Sequence, residues 1–528
     1  MAAGAPIVPC MTPFADLLEK LAFTPGRNGK LTLLRRYFAA TPDPDRGWAL
    51  AALAGTLDLP HVTSSVIKGL MEERMDPVLF SLSRSYVGDL AETVSLLWPE
   101  PETYDPPSLD EVVTTLLAAS RSDRPAVLAR LLDRCGASAR LALIKLCTGG
   151  MRVGVSTRMA QTALADDTHP VETIEKLWFA LEPPYPELFT WLEGGPEPDV
   201  DLSLAYRPMM LAQPVEDRVP TLDPAAHAAE WKWDGIRVQA VATPQGRRLY
   251  TRTGEDISES FPDIIDAMDW YACLDGELLV VRDGEVAPFA HLQKRLGRKR
   301  VGKKTLSDYP AHVRAYDLLD HAGEDLRALP FTKRRARLEA FGSRERLDIS
   351  PLIPFDTWAE LEAQRDGARE AAMEGLMLKR LDTAYVAGRP VGMWWKWKRD
   401  PLEADCVLMY AQRGHGKRSS YYSDYTFGAW VETPNGRVLT PVGKAYSGFT
   451  DKELEELDRF VRNNFTERFG PVRAVKPALV LEIAFDAIQE STRHKSGVAM
   501  RFPRIKRIRW DKPIEEADTL DRLKAMIA

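Results

Sequence analysis

A chain of 528 residues, 45% of them hydrophobic and 28% charged, can bury several cores and has the length of roughly three domains. No run approaches the ~20 uninterrupted apolar residues that cross a bilayer, and Met1-Ala2-Ala3-Gly4-Ala5-Pro6 has no charged region ahead of an apolar one, so the expected setting is the cytoplasm, away from membranes. Five scattered cysteines without a CxxC pair argue against zinc modules and disulfide frameworks, and a formal net charge of -6 leaves any contact with a polyanion to local clusters of bases.

Up to about residue 200 apolar residues recur at helical spacing, as in Val62, Val66 and Leu70 and in Val112, Leu116 and Leu117, while period-two alternation is nearly absent. The spacing predicts a bundle of helices, with Ser108 and Glu111 as a capping box ahead of Val112. Pro183-Pro184-Tyr185-Pro186 and Gly194-Gly195-Pro196-Glu197-Pro198 then break the pattern, and a domain boundary is expected there. From Ala229 onward strands are predicted at Ile236 to Ala242, Arg248 to Thr253 and Leu274 to Val281, with helices at Phe331 to Ala340 and Trp358 to Met373. This is the texture of an α+β domain. After Arg399-Asp400-Pro401 come predicted strands at Ala404 to Tyr410, Thr426 to Glu432 and Ala478 to Ile483, interrupted by a helix at Asp451 to Arg468, and a β-barrel of the OB-fold type fits best. The expected organisation is therefore multidomain: all-α over 1–200, α+β over 201–400 and β-barrel over 401–528. Two segments are strongly basic, Lys294 to Lys304 without an acid and Arg493 to Lys512 with Asp511 as its sole acid. One such run is usually a solvated face; several in one chain suit contact with phosphates.

Lys232 stands in Glu230-Trp231-Lys232-Trp233-Asp234-Gly235. A lysine that attacks phosphorus must first shed its proton, against an ordinary pKa of about 10.4. Neighbouring cations favour that loss, and Arg237, Arg252, Lys396 and Lys398 are candidates, equally suited to pairing with phosphate. Asp234-Gly235 supplies a tight turn. Alone, Lys-x-Asp-Gly is a pattern that chance produces readily and that a surface turn explains as well.

The segments that follow change that balance. They are Thr251-Arg252-Thr253-Gly254-Glu255-Asp256, Leu274-Asp275-Gly276-Glu277-Leu278, Arg314-Ala315-Tyr316-Asp317-Leu318-Leu319, Glu374-Gly375-Leu376-Met377-Leu378-Lys379, Trp394-Trp395-Lys396-Trp397-Lys398, Arg501-Phe502-Pro503-Arg504 and Arg509-Trp510-Asp511-Lys512. In this order they resemble the motifs of the covalent nucleotidyltransferase superfamily, most closely those of ATP-dependent DNA ligases. Tyr206-Arg207-Pro208-Met209-Met210-Leu211-Ala212 resembles the segment that opens the ligases' catalytic domain. Gly88-Asp89-Leu90-Ala91-Glu92 and Gly149-Gly150-Met151-Arg152-Val153-Gly154 resemble more loosely their helical DNA-binding domain, in a chain whose length and domain order look like a bacterial enzyme.

The resemblance implies that Lys232 carries AMP, that Glu230 recognises the amino edge of adenine, and that Tyr316 stacks on the base, an interaction worth ~1–3 kcal/mol. It implies that Glu277 and Glu374 hold the ribose or a divalent cation, Mg²⁺ or Mn²⁺, and that Arg237, Arg252, Lys379, Lys396 and Lys398 neutralise phosphate. Arg509 and Lys512 would approach the ATP phosphates when the barrel closes, about a hinge at Asp400-Pro401. Phe289 and Phe502, the latter beside Arg501, would press into the minor groove next to a nick, and Lys145 and Arg152 would contact DNA phosphates. Read without the resemblance, Tyr316, Phe289 and Phe502 are core aromatics, the acids and bases are surface charges, and the glycine-rich loop packs helices.

The expected activity is ATP-dependent sealing of nicked duplex DNA by a monomer, with a helicase, an exonuclease and a metallophosphoesterase as functional associates. ATP is favoured over NAD⁺ because the four-cysteine module of the NAD⁺-using enzymes has no counterpart among five scattered cysteines. An RNA ligase or capping guanylyltransferase would share Lys232 and the carboxylates, but the long helical region ahead of them favours DNA. A catalytically silent nick-binding protein is disfavoured by intact Lys232, Glu277, Glu374, Lys396 and Lys398. Two departures from the family pattern stand out: Thr251-Arg252-Thr253-Gly254 in place of Ser-Arg-Asn-Gly, and the bulky Trp231, Trp233 and Trp397 beside the charged groups.

Overall fold

The computed structural model of the chain describes residues 10–87, 89–101, 103–215, 219, 221–298, 301–367, 373–414 and 420–527. The opening Met1 to Pro6, Gly88 of the first glycine segment, and Lys299 and Arg300 of the basic run lie outside the described residues.

Between Met11 and Leu192 the described residues form twelve helices and no strand. The helix Leu109–Ala118 shows how the local sequence sets them. Ser108 Oγ accepts the Glu111 N–H at 2.9 Å, and Leu109, Val112, Val113 and Leu116 form the buried face, each large side chain contributing ~1.5–3 kcal/mol by burial. Leu117, expected on that face, points outward. The capping box is half made, because the Glu111 carboxylate turns to the Arg134 guanidinium instead of back to the cap. Val62 likewise lies ahead of its helix, Ser64–Glu72, whose buried face is Ile67, Leu70 and Met71; its N–H donates to Cys147 O at 3.0 Å. The Pro183 to Pro186 stretch is not a break in the helical region. Tyr185 is buried, its hydroxyl lies 2.6 Å from that of Thr56, and the helix Pro186–Leu192 follows at once.

From Gln213 to Lys398 the chain builds two sheets. The five-stranded sheet runs in the order Gln213–Pro214, Trp394–Lys398, Met373–Arg380, His227–Trp233, Leu352–Ile353. The seven-stranded sheet has Gly246–Thr251, Ile236–Thr243, Ala272–Arg282, Ala311–His321 and Glu324–Asp325 in line, with Glu285–Val286 and Leu347–Ile349 on its flanks. In its core Val238 and Ala240, Leu274 and Leu278, and Val313 and Ala315 keep the period of two, and Leu318 returns to the same face past a register shift opposite Asp275 and Gly276. The opening segment at Tyr206 straps onto this sheet, with Arg207 N–H donating to Gln239 Oε1 at 2.7 Å and the Gln239 amide returning a bond to Arg207 O at 2.9 Å. The helix predicted to reach Met373 is Trp358–Gly367, and Met373 opens a strand.

The C-terminal part is a curled sheet of the OB-fold type. Leu402–Arg413, Tyr422–Thr433 and Gly436–Ala445 form a meander, and Leu402–Arg413 pairs with Val480–Phe485 along its first half and Val472–Val475 along its second. A register shift between Leu408 and Tyr410 bends it, wrapping a core of Cys406, Leu408, Phe427, Ile483 and Phe485. The inserted helix Asp451–Asn464 opens with a complete capping box, Thr450 with Glu453. It stops short of the predicted Arg468 because Phe465–Phe469 pairs as a strand with Val472–Val475.

The chain divides into two compact units, one comprising Glu172–Leu181 and Pro198–Asp400, the other Met1–Val171, Glu182–Glu197 and Pro401–Ala528. Cys135, Cys147, Cys273 and Cys406 are buried free thiols, whereas Cys10 is half-buried. Among the described residues no helix is long and apolar enough to cross a membrane.

Candidate active site

Lys232 is the penultimate residue of His227–Trp233, at the point where the chain leaves one sheet, and Asp234 and Gly235 turn it into Ile236–Thr243 of the other. The turn requires glycine: a Cβ on Gly235 would lie 2.4 Å from Leu278 O and 2.8 Å from Glu277 Cγ. Strand alternation puts Glu230 and Lys232 on one face and Trp231 and Trp233 on the other. Trp231 packs with Ala229, Leu376 and Trp397 in an apolar cluster. The Trp233 indole N–H donates to Ser350 Oγ at 3.1 Å, and the Arg314 guanidinium lies 4.2 Å from its ring. The three bulky tryptophans are therefore packing residues on the far side of the charged cluster.

The neighbouring strand Met373–Arg380 brings the remaining charges to Lys232. Gly375 is paired with Lys232 on one side and Lys398 on the other, and Met377 with Lys396. Gly375 has φ 138°, and a Cβ there would meet Trp397 O at 2.3 Å. A register shift between Met373 and Gly375 releases Glu374 from the ladder. Lys232 Nζ donates to Glu374 Oε2 at 2.5 Å, and Lys398 Nζ lies 3.8 Å from the same oxygen. The pKa of Lys396 is pushed down by partial burial and then by the cations Arg389, Lys398, Lys232 and Arg252. Across the turn, burial pushes the carboxyl of Glu277 up to about 8; Lys232 and Arg237 oppose the rise, while Glu374 and Asp275 add to it. Two carboxylates and a group of bases thus share one electrostatic neighbourhood around Lys232.

Glu230 is buried on the same face. Its Oε2 accepts from Lys379 Nζ at 3.1 Å and its Oε1 from Arg335 Nη1 at 3.4 Å. Burial raises its pKa, Lys379 and Arg335 lower it, and Asp317 adds to the rise. Tyr316, also buried, has Lys379 Nζ 4.6 Å from its ring centroid. Two bases expected at phosphate are thereby accounted for otherwise. The Lys379 ammonium is fully buried between Glu230 and the rings of Tyr316 and Trp394, because a cation withdrawn from water needs a compensating charge. Arg237 is engaged bidentately by Asp275 at 3.0 and 2.6 Å, and despite its burial this pairing holds the guanidinium firmly charged. Arg252 is exposed in its turn, where its carbonyl accepts the Tyr206 hydroxyl at 2.6 Å.

Residues 209–398 match the family model of the ATP dependent DNA ligase domain, and residues 418–512 that of the ATP dependent DNA ligase C terminal region. The chain is 31% identical to the probable DNA ligase of Koribacter versatilis over 97% of its own length and 96% of the relative's. The chain belongs to the ATP-dependent DNA ligases. DNA ligase 1 of Korarchaeum cryptofilum is 28% identical over 97% of both chains. Among solved structures, the one named Pmar-Lig_Pre. shares the fold, with a TM-score of 0.59 at 15% identity over 94% of this chain and 99% of that one. The enzyme uses ATP to seal nicks in DNA: it forms a lysyl-AMP intermediate, passes AMP to the 5′-phosphate, and releases AMP when the 3′-hydroxyl attacks.

The ligase's other expected site residues stand on other segments of the chain. Lys512 Nζ donates to Asp405 Oδ2 at 2.7 Å, and Arg509 pairs with Asp511 at 2.9 Å and approaches Asp405 at 3.5 Å. Phe502 is 63% exposed at φ 53°, with the Arg501 guanidinium 5.3 Å from its ring, so a wedge role is sterically open to it. Phe289 is half-buried and packs against the core of the seven-stranded sheet, leaving less of it free. Arg152 is exposed and Lys145 half-buried, at a loop whose Val153 and Gly154 carbonyls are held by Lys30 Nζ at 2.5 and 3.1 Å.

Several partners escaped the sequence reading. Asp275 was in plain sight two residues before Glu277, and so on the same strand face. Arg335, in a helix rich in bases, Asp405 and Lys30 belong to no recognisable motif.

Proposed function

We propose that Lys232 is the lysine that carries AMP. The observation that supports it best is the 2.5 Å contact of Lys232 Nζ with Glu374, next to Lys398 and within the electrostatic reach of Lys396. Glu374 orients the ammonium and is the nearest acceptor for its proton. The freed Nζ attacks the α-phosphorus of ATP, a P–N bond forms, the P–O bond to the β-phosphate breaks, and pyrophosphate leaves. Lys396, Lys398 and exposed Arg252 neutralise phosphate charge as it develops. Glu230 accepts from the adenine amine, Tyr316 stacks on the base, and Lys379 and Arg237 act behind them, paired to Glu230 and Asp275.

Glu277 and Glu374 suit a divalent cation such as Mg²⁺ or Mn²⁺. Among the described residues no group of three or more potential ligands occurs, but hard Mg²⁺ takes about one or two carboxylates and completes its shell with water and substrate oxygens. Burial pushes the Glu277 carboxyl up to about 8, with Glu374 and Asp275 adding to the rise, and a cation bound beside it would favour its ionised form. When bound, the cation supplies charge neutralisation at phosphate oxygens.

In this reading residues 1–200 bind DNA through Lys145 and Arg152, residues 201–400 perform adenylation with Phe289 facing the nick, and residues 401–528 contribute Arg501 and Phe502 to DNA and Arg509 and Lys512 to the pyrophosphate. The enzyme works as a monomer on the bacterial nucleoid, associated with a helicase, an exonuclease and a metallophosphoesterase. The test is to incubate the protein with ATP labelled in the α-phosphate and map the labelled peptide by mass spectrometry. AMP on Lys232 supports the assignment; AMP on another residue, with Lys232 unmodified, refutes it.

A further inference from the structure

Glu230 is held by more positive charge than one hydrogen bond from adenine would need. Lys379 reaches Oε2 from the adjacent strand, and Arg335 reaches Oε1 from the helix Phe331–Phe341. Arg335 is itself buried, with Nη1 also donating to Ser350 O at 2.9 Å and Nε to Glu339 at 2.8 Å. The adjacent Arg334 is fully committed elsewhere, to Asp317 at 2.8 and 2.9 Å. Consecutive arginines on one helix therefore serve two separate buried carboxylates, and Arg335 is the one assigned to Glu230.

We propose that Arg335 is a specificity-positioning residue, which keeps Glu230 an acceptor-only carboxylate and thereby restricts the pocket to a purine bearing an amine at carbon 6. The inference rests on the assignment of Glu230 to the adenine amine. An ionised carboxylate only accepts hydrogen bonds, whereas a protonated one can also donate. Adenine presents a donor at that edge; guanine and hypoxanthine present the O6 acceptor. The ionisation of Glu230 thus decides which base the pocket accepts. Lys379 from its neighbouring strand, Arg335 from the helix and Asp317 from Ala311–His321 act on it, whereas Arg334 is paired to Asp317, Glu339 to Arg335, Tyr316 lies beside Lys379, and its strand partner Leu352 adds no charge. Burial and Asp317 favour the protonated form, and Lys379 and Arg335 oppose it. With Arg335 gone, Glu230 takes up its proton at higher pH, so selection for ATP is lost sooner as pH falls.

The experiment compares self-adenylation by wild type, Arg335→Met, Arg335→Lys and Glu230→Gln with three nucleotides: ATP, purine riboside triphosphate, which lacks the amine, and ITP. Arg335→Met is expected to lose about tenfold in kcat/KM with ATP, the size of a charge-assisted hydrogen bond, to lose little with purine riboside triphosphate, and to use ITP relatively better. Its acid limb with ATP should move to higher pH, and Arg335→Lys should restore most of the ATP preference. Partial misfolding lowers all three nucleotides alike and leaves their ratios unchanged. If Glu230→Gln is penalised only where the amine is present but Arg335→Met is penalised equally with all three, the role of Arg335 is overturned and the adenine contact stands. If Glu230→Gln itself does not distinguish ATP from purine riboside triphosphate, the adenine assignment fails first.

Discussion

Gly375 sits between Lys232 and Lys398, where no side chain fits. With φ 138° and Trp397 O 2.3 Å from the position of a Cβ, alanine there combines backbone strain with a collision against backbone. Gly375→Ala should cost more than ~1 kcal/mol of stability and displace Glu374 from Lys232. The check is a thermal melt alongside a self-adenylation assay; unchanged melting and activity would show that the strand does not need its glycine. Glu374→Gln keeps the shape but removes the charge, and as the nearest proton acceptor its loss should slow self-adenylation by about a hundredfold, with purified protein melting as wild type. At this scale the sequence was legible wherever a motif coincided with strand alternation. Glu230 and Lys232, two apart, share a strand face, and so do Asp275 and Glu277. The destination of Lys379 was not legible, because a lysine that closes a motif looks the same whether it meets phosphate or a buried glutamate. Only the three-dimensional neighbourhood supplies Glu230 and the faces of Tyr316 and Trp394.

Among the elements, the strand pairings carry the site, and a short parallel strand props it from behind. Leu347–Ile349 runs beside Ala311–His321, setting Asp348 against Arg314, whose guanidinium lies over Trp233. Against the cost of burial, the His312 ring 3.3 Å away and two hydrogen bonds from Arg314 hold Asp348 down at about 2. A depressed folded-state pKa means that this group stabilises the fold above the ordinary carboxylate range and that the contribution is lost as pH falls toward about 2. Asp348→Asn should therefore be less stable than wild type to urea at neutral pH, with the gap closing in acid; a gap independent of pH would contradict the pairing. Element type and order were readable from periodicity, from the helices before Leu192 to the strand alternation after His227. Ends were less so. The predicted Asp451 helix ran past Asn464 because Phe465 and Phe469, four residues apart, also suit a helix, and pairing with Val472–Val475, rather than local spacing, decides it.

For the whole molecule, the proposed residue roles fall on different chemical steps and separate experimentally. Arg509→Ala and Lys512→Ala should each depress self-adenylation while leaving sealing of a pre-adenylated nick near wild type; equal losses in both would place these bases in DNA binding instead. Phe502→Ala should raise the KM for nicked DNA several-fold without altering self-adenylation, since the ring is exposed and supports no core. The succession from a helical to a mixed and then a strand-rich part was visible in the change from helical to strand periodicity, and the curled C-terminal sheet in its short, turn-separated strands. The packing of Pro183 to Pro186 was not, because a proline-rich stretch reads as a linker until Tyr185 is found buried among helices. The most direct test of the central claim offers Lys232→Ala two substrates: a nick with a plain 5′-phosphate plus ATP, and the same nick already carrying AMP on that phosphate. No sealing of the first and near wild-type sealing of the second are expected, because a lysine that carries AMP is needed only to take it from ATP. Sealing of the plain nick by Lys232→Ala at the wild-type rate would show that another residue carries AMP.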